Sequence, residues 1–213
     1  MTSWTTITSL GDIKAMAPVA AAIGIGLAMG NAWRMALWWC LLLTISLGLV
    51  AASKLAFIGW CVGSYTFDFT GFSGHAMRMT AIAPVLFYLL LQNASSQTRA
   101  LGIFLGMMCG VIVGISRLAL HDHSPSEVVM GWTLGAIVSL GFILTFRSAK
   151  TFVLNRWIVT LCLLIILTAP TVEPAPTQRW IVAIALYLSG HDQPCTRDAW
   201  RLPEGTPPTA SNR

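Results

Sequence analysis

The sequence predicts an all-α fold, a polytopic membrane helix bundle of about six transmembrane helices, and two observations carry that reading. The first is composition: 55% of the 213 residues are hydrophobic and only 10% are charged, where soluble domains carry about 25%. The second is placement, because charge-free runs recur at residues 15–33, 35–53, 79–98, 100–116, 128–146 and 157–172. A run as long as 35–53 rises roughly 28 Å as a helix at about 1.5 Å per residue, close to a hydrocarbon core about 30 Å thick.

The elements follow in order. The first run has only Lys14 close ahead of it and reads as a retained anchor rather than a cleaved leader. The second ends at Lys54; the third and sixth have shorter apolar centres than the fourth and fifth. Residues 180–190 are apolar but too short to span, and Trp180 and Tyr187 suit a helix lying in the headgroup zone. Residues 1–190 are therefore expected to form one transmembrane domain, and 191–213, Pro-rich from Pro194, a disordered tail.

If the spans alternate, Arg34, Arg99, Arg147, Lys150 and Arg156 share one side with no acidic residue, which makes that side cytoplasmic. Lys54, His75, Arg117, His123 and every Asp and Glu then face the other side, the periplasm of a bacterium. The net charge of +5 is scattered, with no basic run that would suggest nucleic acid. No internal repeat is present. Nor do the five cysteines read as a framework: Cys40, Cys109 and Cys162 fall inside apolar runs, and Cys61 and Cys195 meet only if the fold happens to bring them together.

Polar and ionisable groups in such a chain are costly unless they serve a site, and two segments concentrate them at the ends of apolar runs. In Phe72-Ser73-Gly74-His75, Ser73 is a good N-cap, and the free amides of the following first turn, Gly74 included, suit an anion. The second segment runs from Ser116-Arg117 to His123-Ser124-Pro125-Ser126-Glu127. Ser124, Pro125 and Glu127 have the spacing of a capping box. Glu127 also stands four residues after His123, where its carboxylate can fix the imidazole tautomer, so capping and orienting are both open to it. Arg117 either complements a helix C-terminus or holds an anion. His121-Asp122-His123 has no further ligand cluster to complete a metal site, and Ser73 lacks a nucleophile elbow.

Ser-Gly-His, then Ser-Arg about forty residues later, then five residues, His, three residues and an acid, resembles the type 2 phosphatidic acid phosphatase superfamily over about residues 50–145. His123-Ser124-Pro125-Ser126-Glu127-Val128-Val129-Met130-Gly131 is similar to its His-x-Pro-Ser-Asp-x-x-x-Gly. The resemblance implies that His123 is the nucleophile, His75 the acid and base at the leaving oxygen, and Glu127 the residue that orients His123. It places phosphate on Lys54, Ser73, Gly74, Ser116 and Arg117, and it implies no metal and no cofactor. The family's first motif is Lys, six residues, Arg-Pro; here Cys61-Val62 stand in the last two places, so one guanidinium is missing, with Arg78 or His121 as auxiliary candidates.

The implied activity is that of a lipid phosphate or diphosphate phosphatase whose partners are its substrate and the bilayer. Trp60, Tyr65, Phe67, Phe69 and Phe72 fit a headgroup-level loop. By resemblance and topology the leading substrate is undecaprenyl diphosphate. Rivals are lipid A phosphate, phosphatidylglycerol phosphate, phosphatidic acid and a non-catalytic lipid-phosphate binder.

Overall fold

The computed structural model describes residues 2–147, 160, 162, 164–166, 168 and 176–197. Among the described residues the bounded helices are α1 Thr2–Ser9, α2 Ile13–Met29, α3 Trp33–Trp60, α4 Gly74–Leu90, α5 Ser96–Ala119, α6 Pro125–Phe146 and α7 Thr177–Ser189. No strand is found among the described residues; the loop before α4 holds one isolated bridge, Ser64 to Phe69. Among the described residues four stretches are long and apolar enough to cross a bilayer, Trp4–Met29, Trp33–Trp60, Ser96–Ala119 and Pro125–Phe146, with α4 a shorter apolar fifth. The expected sixth span, 157–172, lies largely outside the described residues.

Two boundaries differ instructively from the charge-free runs. α3 continues past Lys54 to Trp60 because that lysine faces a cavity rather than lipid. α4 likewise begins at Gly74, since His75 and Arg78 turn toward protein partners. A charge ends a lipid-facing surface; it need not end a helix.

α4 is the bundle's centre, with Ala76, Met77, Ala81 and Val85 wholly shielded between α5, α6 and α2. Lipid offers helices no hydrophobic gain on association, so close backbone packing does that work. α5 carries glycines at every fourth position, Gly102, Gly106, Gly110 and Gly114. A Cβ on Gly106 would stand 2.5 Å from the Pro84 nitrogen, and one on Gly131 of α6 2.5 Å from the Ser73 carbonyl. Those contacts set the N-termini of α4 and α6 side by side, where the Ser73 N–H donates to the Glu127 carbonyl at 3.1 Å.

α7 packs on α3, burying Ala185 against Phe57 and Ile58, while Trp180 and Tyr187 stay exposed. Of the expected 191–213 tail, residues 198–213 lie outside the described residues. Residues 191–197 turn back onto the end of α3, where Cys195 forms a disulfide with Cys61 across a separation of 134 residues. The fold thus brings together the two cysteines whose meeting the sequence left open, while Cys40, Cys109 and Cys162 are free. Residue spacing carries no information about a contact made by two segments that meet only after the bundle has closed.

Candidate active site

At one end of the bundle the α1–α2 turn, the end of α3, the starts of α4 and α6, the end of α5 and residues 194–197 surround a cavity of about 840 Å³. Its lining includes Lys54, His75, Arg117, His123 and Glu127, five residues from four helices and one connecting turn.

The His123–Glu127 pair is built by the start of α6. Ser124 caps the helix, Pro125 fits its first turn, and Glu127 closes the capping box by accepting the Ser124 N–H at 3.1 Å. The same carboxylate oxygen, Oε2, accepts from His123 Nδ1 at 2.7 Å, so both roles left open by the spacing are filled by one atom. A carboxylate only accepts; Nδ1 therefore carries the proton, and the Nε2 lone pair is left available. The second oxygen, Oε1, accepts the Thr70 N–H at 2.9 Å, the Thr70 hydroxyl and the Arg197 guanidinium. Glu127 is 1% exposed, and buried charge at such a site is tolerable only with this many donors. Burial pushes the His123 imidazole below its ordinary pKa, opposed by the Glu127 hydrogen bond.

His75 sits in the first turn of α4 with Nε2 3.6 Å from Asp12 Oδ2. Asp12 is held in turn as the N-cap of α2, its Oδ1 accepting the Lys14 N–H at 2.9 Å. Arg117 reaches from the last turn of α5 to Asp122 at 3.0 Å and donates to the Thr8 hydroxyl at 3.2 Å through the same Nη1. Its Nε is buried with no hydrogen-bond partner among the described residues, as is the Ser73 hydroxyl.

Other expected residues stand apart from the cavity lining. Ser73 occupies the N-cap position of α4 yet makes no side-chain cap bond, and it lies fully buried behind the wall with Gly74. Ser116 turns its hydroxyl into its own helix, donating to the Val113 carbonyl at 2.6 Å. Arg78 spends its Nε on the Gly11 carbonyl at 3.0 Å, tying α4 to the α1–α2 turn. His121 is exposed in a left-handed turn with φ 57°. Neither auxiliary candidate lines the cavity. Among the described residues no group of three or more His, Cys, Asp or Glu side chains is arranged to hold a metal ion.

Sequence reasoning missed Asp12, Thr8, Thr70 and Arg197. All four belong to segments outside the two polar stretches, and their relation to the site exists only through tertiary contact. One signal for Arg197 was present: it follows by two residues the one cysteine of the tail, and Cys61 ends α3.

The PAP2 superfamily model matches residues 56–151. A protein of Klebsiella pneumoniae described as an uncharacterized 22.5 kDa protein in a cps region is 36% identical over 200 residues, covering 92% of this chain and 96% of its own. No solved structure matches the chain. With the family-model match and a relative 36% identical over nearly the whole of both chains, the chain belongs to the PAP2 superfamily of phosphatases.

Proposed function

We propose that the protein is an integral-membrane lipid phosphate or diphosphate phosphatase acting at the periplasmic face of a bacterial inner membrane through a phosphohistidine, with undecaprenyl diphosphate as the leading substrate. The observation that carries the reading is the shared cavity: a protonated Nδ1 pinned by Glu127, a second histidine, and the cations Lys54 and Arg117 all line it. A phosphoryl transition state spreads negative charge over its equatorial oxygens, so prearranged cations and a positioned nucleophile supply most of the catalysis.

In the proposed sequence His123 Nε2 attacks the terminal phosphorus, the bond to the leaving oxygen breaks, and His75 gives that oxygen a proton. Water then attacks the phosphohistidine, His75 takes its proton, the P–N bond breaks, and inorganic phosphate leaves. Lys54 and Arg117 hold the equatorial oxygens; the buried Arg117 Nε is a donor suited to one of them. Ser73 and Gly74 act from behind by setting the α4 N-terminus. Neither step calls on a metal, and phosphate release is expected to persist in EDTA.

Three features support a lipid substrate at the outer face. Phe57, Ile58 and Val182 give the cavity an apolar side between α3 and α7, beside its charged end. Arg34, Arg99 and Arg147 lie at the opposite ends of α3, α5 and α6, consistent with a cytoplasmic side there. The Cys61–Cys195 disulfide is on the site's side, and such bonds persist in oxidising compartments. The test is phosphate release by purified protein from undecaprenyl diphosphate, lipid A, phosphatidylglycerol phosphate and phosphatidic acid, with His123→Ala as control. Release fastest from undecaprenyl diphosphate and lost in the variant supports the proposal. Preference for another lipid corrects the substrate, and lipid binding without turnover makes the chain a binder.

A further inference from the structure

Glu127 holds His123 with one oxygen, and the other oxygen needs its own donors. A glutamate has one more rotatable bond than an aspartate, so two hydrogen bonds on Oε2 leave the carboxylate free to swing unless Oε1 is also fixed. Thr70 fixes it from the loop before α4. The remaining donor comes from 70 residues downstream, the Arg197 guanidinium, which bonds Oε1 and also donates to the Thr70 hydroxyl at 3.0 Å. Its Nε stands 3.9 Å from Asp68 Oδ1.

Arg197 reaches that position because the backbone before it is fastened to α3. His191 Nδ1 meets the Gly59 carbonyl at 2.8 Å, the Cys195 N–H donates to the Ile58 carbonyl at 2.9 Å, and Cys195 is covalently joined to Cys61, the residue that ends α3. A side chain two residues from a covalent tether searches a small volume, which raises its effective concentration at the site.

We propose that Arg197 is a positioning residue that locks Glu127 against His123, and that the Cys61–Cys195 disulfide is the tether that delivers it. The proposal rests on the reading of His123 as nucleophile. It assigns the C-terminal segment a part in the reaction and gives Cys61 a structural purpose.

The test compares wild type, Arg197→Ala, Arg197→Lys and the double variant Cys61→Ser/Cys195→Ser in lipid phosphate hydrolysis over a range of pH, alongside thermal unfolding. Around His123 stand Glu127 on α6, Lys54 on α3, Arg117 on α5 with its partner Asp122, and His75 on α4 backed by Asp12 and Arg78. To these Arg197 adds a cation on Glu127 Oε1, with Asp68 beside it; Arg197→Ala removes that cation, so the Glu127 carboxylate binds the His123 proton more tightly and the acid limb moves to higher pH. Loss of alignment lowers kcat about 10- to 100-fold with KM little changed. Arg197→Lys keeps the charge and restores the limb with part of the rate; the double cysteine variant reproduces Arg197→Ala, and combining the two adds little further loss.

An active wild type matched by Arg197→Ala in rate and pH profile overturns this proposal alone. A wild type that releases no phosphate from any lipid overturns the phosphatase reading and this proposal with it. Mass analysis after thiol alkylation decides the tether separately, since free Cys61 and Cys195 in fully active protein contradict it.

Discussion

The two walls of the cavity have different origins. One wall, α4 to α6, supplies His75, Arg117, His123 and Glu127 from a single stretch of chain, with Lys54 added from α3; the other is assembled from α1, the α1–α2 turn and residues 194–197, the two ends of the described chain. The first wall holds the groups proposed to react. The second holds the groups that fix them: Asp12 behind His75, Thr8 on Arg117, and Arg197 on Glu127. Reactivity is thus encoded locally and rigidity remotely, and substitutions in the two walls should differ in kind.

The largest effect is expected in the first wall. His123→Ala should lower turnover by about 10⁴-fold or more, because nucleophile and acid–base partner act as a unit. Glu127→Gln should cost about 10²- to 10⁴-fold, since a neutral amide no longer enforces the Nδ1–H tautomer. Steady-state kinetics on folded protein checks both; a Glu127→Gln enzyme within threefold of wild type would mean that the carboxylate is only a helix cap.

In the second wall Asp12→Asn should be milder, about tenfold in kcat, because its carboxylate meets His75 at 3.6 Å rather than in a short hydrogen bond. An effect equal to that of Glu127→Gln would erase the distinction between the walls. The pH profile sharpens it further. Burial lowers the His123 pKa, and only the neutral imidazole can attack, so activity should be retained below the ordinary histidine value of 6.5 and fall at more acid pH. An acid limb at or above that value contradicts the burial argument. The smallest catalytic effect is expected where the walls join the bundle: Gly131→Ala should destabilise by about 1–3 kcal/mol through its clash with the Ser73 carbonyl, read as a lowered Tm.

The membrane bundle was legible because apolar runs and their lengths are local properties, and the first wall because its residues recur at fixed spacings. Two residues that the resemblance placed on phosphate stand apart from the cavity lining. Ser116 and Ser73 carry suitable hydroxyls, yet one bonds its own helix and the other is sealed behind the wall. Arg78 and His121 were the auxiliary candidates for the missing guanidinium, and neither lines the cavity; Arg197 does, held there through a disulfide no local pattern announces. Replacing Cys61 by the arginine of the family's first motif would break that tether.

The central claim is that His123 Nε2 accepts the phosphoryl group within the cavity it shares with Lys54, His75 and Arg117. It is tested most directly by quenching purified protein during turnover of a ³²P-labelled lipid diphosphate and mapping the bound label. The account predicts an acid-labile, alkali-stable phosphoenzyme located on His123 and absent in His123→Ala; label on another residue, or turnover that survives in His123→Ala, would contradict it.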